Sequence, residues 1–97
     1  DIHMVIADLD HPEETMIVEI PSGDCSGVCS SAQFGQIAAA RTWFESRFGA
    51  PQKRFERAAG DVTLTVTGIG FFDFLHHQTG VAPNGIELHP VLSLTAP

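Results

Sequence analysis

The sequence predicts a β-rich α+β domain with one helix, and three observations carry that prediction. Residues alternate with a period of two in DIHMVIAD, TMIVEI and DVTLTVTG, which is strand periodicity. Only one stretch, between the second and third of these, has apolar residues at helical spacing. The chain has 97 residues, enough for one core and one domain spanning 1–97.

The first strand runs from Ile2 to Asp8, with Ile2, Met4 and Ile6 on one face and His3, Val5 and Ala7 on the other. DLDHPEE then reads as an acidic, solvated turn. Its acids are spaced suggestively for calcium, but the glycine and terminal glutamate of a calcium loop are missing. TMIVEI is the returning strand of an antiparallel hairpin, with Met16, Val18 and Ile20 inward and Ile17 and Glu19 opposite.

Cys25 and Cys29 follow in a Gly/Ser loop, SGDCSGVCSS. The pair is compatible with a short-range disulfide, with two free thiols, or with half of a metal site. A bridge would imply an oxidising compartment.

Ser30 or Ser31 can cap a helix that runs to about Phe48, with Gly49 as its C-cap and Pro51 as its stop. Phe34, Ile37, Phe44 and Phe48 share one stripe, Arg41 lies in the middle of it, and Trp43 falls opposite. Arg41 either packs its stem and lets the guanidinium reach the rim, or pairs with a carboxylate at a pocket edge.

In DVTLTVTG, Val62, Leu64 and Val66 point inward and the threonines outward. Gly68 and Gly70 flank Ile69, a pattern suited to a bulge. PNG (Pro83, Asn84, Gly85) is a tight-turn signal ahead of the last strand, Ile86 to Leu94. Pro90 removes a donor there, so that strand is an edge or is bulged.

This order fits an OB-like, partly open barrel whose first strand is missing, or an antiparallel sheet with one covering helix. An unpaired edge at the N-terminal hairpin favours a homo-oligomer, a second copy covering it.

Net charge is −7, and all five basic residues (Arg41, Arg47, Lys53, Arg54, Arg57) fall between positions 41 and 57. Such an acidic chain is a poor nucleic-acid binder. No apolar run approaches the ~20 residues needed to span a bilayer, and no signal peptide is visible.

DIHMVIAD, TMIVEIP followed by a cysteine, AAAR, and VTGIGFFDFLHHQTGVAPNGIELHPVL occur here in order over nearly the whole chain. In this the sequence resembles an uncharacterised family of small bacterial proteins. The resemblance implies no particular activity. Members carry further sequence before the DIH position, often with an export signal, which implies an extracytoplasmic location and an absent first strand. They tend to have glycine at the position of His77, so His77 is a poor candidate for essential chemistry. Cys29 lies outside the family's pattern, which counts against the disulfide.

Candidate chemistry follows from the alternation. His3, Glu19, Glu87 and His89 all point to the non-core faces of their strands, and two imidazoles with two carboxylates suit a divalent metal such as zinc. His76 can join His3 and His89 as a metal ligand. Asp73 and His76, with His89, are candidates for acid–base catalysis, and a metal-bound water would suit hydrolysis of an ester or phosphodiester. The plainer reading makes Asp73 and Gln78 turn chemistry and the histidines tolerated surface residues. Arg41, Trp43, Phe71 and Phe72 are candidates for a ligand or partner surface. The expectation drawn from all this is a small bacterial binding or interaction module, with a metal-dependent hydrolase as the alternative.

Overall fold

The computed structural model describes residues 1–22, 31–58 and 62–97. Their order is β1 (Ile2–Ala7), β2 (Thr15–Ile20), α1 (Phe34–Phe48), β3 (Thr65–Phe72) and β4 (Ile86–Thr95). The four strands form one open mixed sheet in the order β1-β2-β4-β3, with α1 packed on one face, chiefly against β4. The β-rich α+β class, with a single helix among the described residues, is therefore the fold observed. The sheet is not wholly antiparallel, however. β2 and β4 run parallel, pairing Ile17 with Glu87 and Val18 with Leu88, because the chain crosses over through α1 and β3 before β4 enters beside β2.

The expected antiparallel hairpin forms, paired from Ile2 opposite Ile20 to Ala7 opposite Thr15. Its loop is held by Asp8, whose Oδ1 accepts the amides of Asp10 at 2.8 Å and His11 at 3.0 Å. Ile2, Val18, Ile20, Val91 and Leu94 from the sheet meet Ile37 and Ala40 from α1 in the core. Met4, Ile6 and Met16 pack against it. Ile17 and Glu19, on the opposite face of β2, are each only 5% exposed. Both faces of this central strand are covered.

The helix begins at Phe34, after a turn in which the Ser31 hydroxyl accepts the Gln33 amide at 3.1 Å. It ends at Gly49, whose N–H donates to the Glu45 carbonyl and whose φ is +80°. Its buried stripe is rotated from the one expected. Trp43 and Phe44 both pack against the core, while Phe34 is 39% exposed. The small side chain of Ala40 explains this, since it lets the helix approach β4 along the Ile37–Ala40–Trp43–Phe44 side.

β4 lies inside the sheet, not at its edge. Pro90 is accommodated by a bulge, because Gly68 pairs with Val91 and Gly70 with Leu88. Gly68 is required at this point: a Cβ there would lie 2.8 Å from the Pro90 carbonyl oxygen. The bulge also brings Val91, at 0% exposure, into the core beside Leu94.

Candidate functional site

The face of the sheet away from α1 carries the polar residues that alternation placed there. The β1–β2 register sets His3 directly opposite Glu19. The parallel β2–β4 pairing carries Glu19 towards His89, and Glu87 shares the His89 face because it lies two residues earlier. His3 Nε2 is 3.2 Å from Glu19 Oε1, His89 Nδ1 is 3.2 Å from Glu19 Oε2, and the same nitrogen is 3.1 Å from Glu87 Oε1. One imidazole thus bridges two carboxylates, and a second imidazole holds the far oxygen of one of them.

Both carboxylates are buried, Glu19 at 5% and Glu87 at 4% exposure, whereas His3 and His89 reach solvent. Burial of an anion requires compensation. Among the described residues no Lys or Arg pairs with either glutamate; the compensation comes from imidazoles. Glu19 and Glu87 share the single His89 Nδ1, and Glu19 alone also meets His3 Nε2. Phe71, opposite Glu87 in the β3–β4 register, stands edge-on to His89 with ring centroids 5.6 Å apart. The 73–85 loop folds back towards β1 and β2, where the Thr15 hydroxyl donates to the Gly80 carbonyl at 3.0 Å.

Asp73 and His76 form a pair of their own, with His76 Nε2 3.6 Å from Asp73 Oδ2. Asp73 Oδ1 accepts the Phe74 amide, and Gln78 binds both the His76 amide and the Phe74 carbonyl. These two residues shape the turn after β3, and His76 is not among the contacts that assemble His3, Glu19, Glu87 and His89. His77 stands at φ +66°, a conformation that favours glycine.

Arg41 and Trp43 lie on α1, across the sheet from this cluster. Arg41 Nε is 3.3 Å from Glu45 Oε1, and its guanidinium donates to the Pro21 carbonyl at 3.5 Å. Trp43 meets Phe48 edge-on at 6.2 Å and belongs to the packing around the core. Phe71 and Phe72 are exposed, at 46% and 68%. Cys25 and Cys29 lie outside the described residues.

The acidic turn holds a second group, His11, Glu13 and Glu14, with His11 Nδ1 3.7 Å from Glu13 Oε1 and all three exposed. An open groove of about 730 Å³ lies beside this hairpin end, between Leu9, Met16 and Ala82–Asn84. Among the described residues no helix is long and apolar enough to cross a membrane.

Comparison of the chain with protein-family models, with curated proteins and with solved structures finds no match. Fold and site together define a small open-sheet domain whose face away from α1 carries two buried carboxylates held by two solvent-reaching imidazoles.

Proposed function

We propose that this chain is a small binding module of OB-like architecture whose ligand face is the outer surface of β1, β2 and β4. The observation that carries this reading is the convergence of His3, Glu19, Glu87 and His89 from three strands onto that face. OB-like folds take their ligands on the outer face of strands two and three and on the loop between strands four and five. If β1 is counted as strand two, the lateral order β1-β2-β4-β3 and the parallel β2–β4 pair follow that barrel. In that count His3 and Glu19 sit on strands two and three, Glu87 and His89 on the neighbouring strand five, and the 73–85 loop is the one between strands four and five. Fold likeness is a weak warrant by itself; the chemistry of the cluster gives it content.

Self-association belongs to the same reading. β3 is a sheet edge among the described residues, and Ile69, Phe71 and Phe72 are exposed along it without a charge. A second copy can pair along that edge without bringing charged side chains of β3 together.

The test is a titration of isotopically labelled protein with oligosaccharides, short oligonucleotides and divalent cations, read by amide and imidazole NMR shifts. Shifts are expected at His3, Glu19, Glu87 and His89. Shifts confined to α1, or none from any ligand class, would refute the reading.

The same cluster also admits metal-dependent hydrolysis of an ester or phosphodiester, because three donors leave a coordination position for water. That alternative predicts turnover of bis(p-nitrophenyl) phosphate or p-nitrophenyl acetate that falls with His89→Ala.

A further inference from the structure

We propose that Glu19, Glu87 and His89 form a binding site for a divalent transition-metal ion of the zinc class, with His3 as the positioning residue that fixes Glu19. The inference rests on the reading of this face as the ligand face, and narrows its ligand to an ion.

Three features of the cluster point to a cation. The first is charge. Two glutamates at 5% and 4% exposure face one shared imidazole nitrogen, with no Lys or Arg pairing to either among the described residues. Two buried carboxylates held only by imidazoles are a donor set whose formal charge a divalent ion would balance.

The second is geometry. One oxygen from each glutamate and a nitrogen of His89 lie within 4.8 Å of one another, and His89 Nδ1 is already 3.2 and 3.1 Å from the two oxygens. Neighbouring ligands around tetrahedral zinc, each at about 2.0–2.1 Å from the ion, are about 3.3–3.5 Å apart. Two of the three ligand separations therefore already lie close to that spacing.

The third is support around the ligands. His3 Nε2 meets the oxygen of Glu19 that His89 does not, which is how an outer partner orients a ligating carboxylate. Phe71 stands edge-on to His89 and limits the tilt of its ring. The donors come from strands, whose backbone positions the sheet fixes, and oxygen with imidazole nitrogen is the donor set that suits zinc and its neighbours. The group in the acidic turn meets the same 4.8 Å distance but is exposed, so it serves as the internal control.

The experiment is calorimetric titration of chelator-treated full chain with Zn²⁺, with circular dichroism confirming the fold of each variant. One ion per chain is expected to bind. Glu87→Gln and His89→Ala should weaken binding by about 100-fold and His3→Ala by about tenfold, while His11→Ala should leave it unchanged. Should a variant fail to fold, imidazole ¹⁵N shifts of the unaltered chain decide, because Zn²⁺ must move His89 Nδ1 before any nitrogen of His11. The proposal is overturned if the folded chain binds no Zn²⁺, if both cluster variants retain full affinity, or if His11→Ala abolishes binding. Should Zn²⁺ fail while an oligosaccharide or oligonucleotide still shifts His3 and His89, the ion is refuted and the binding module stands.

Discussion

His77 shows how one backbone angle separates residue type from role. Its φ of +66° is left-handed, where an L side chain costs about 1–2 kcal/mol and a β-branched one more. His77→Gly is therefore expected to raise stability by about 0.5 kcal/mol after the larger chain entropy of glycine is offset. His77→Val should lower it by about 1–2 kcal/mol. Urea unfolding of the three proteins checks this, and equal midpoints would show that the loop relaxes freely. The neighbouring Asp73 and His76 looked like an acid–base pair in the sequence and do approach each other, but their hydrogen bonds serve the turn.

Elements were legible where their signal is local. Alternation located β1 and β2, and the glycine pair located the bulge in β3. The PNG turn also holds: the Ile86 amide donates to Asn84 Oδ1 at 3.1 Å, and Gly85 sits at φ +78°. A Cβ on Gly85 would collide with the Asp73 carbonyl oxygen, in a close approach where Asp73 N–H also donates to the Gly85 carbonyl at 3.0 Å. Gly85→Ala is expected to destabilise by about 2 kcal/mol or more, since strain and collision act together. Thermal unfolding measures it, and a change under about 0.5 kcal/mol would contradict the geometry. The rotated stripe of α1 was not legible, because which side of a helix with aromatic residues all round is buried depends on the strand it lies against.

For the molecule as a whole, position in the sheet decides what a side chain is worth. Ile20 is 0% exposed, and Ile20→Ala should cost about 2–4 kcal/mol, a large share of the stability of a domain this small. Phe72, at 68% exposure on the edge strand, should change monomer stability by less than about 0.5 kcal/mol on replacement by Ser. If the β3 edge carries the proposed self-association, Phe72→Ser should instead shift the monomer–dimer balance towards monomer. Sedimentation velocity over a hundredfold concentration range distinguishes the two effects. A wild-type chain that stays monomeric throughout would end the oligomer proposal.

The sequence by itself determined the class, the hairpin, the bulge, the last turn and the face on which His3, Glu19, Glu87 and His89 stand. Each depends on residues within a few positions of one another. Only the tertiary structure decided that β4 enters parallel to β2 and inside the sheet. That single long-range pairing brings Glu19 beside His89, buries both glutamates and turns four residues on separate strands into one cluster. Period-two patterning fixes which way a side chain points but carries no information about which strand lies next to it, and the site exists only through that neighbour.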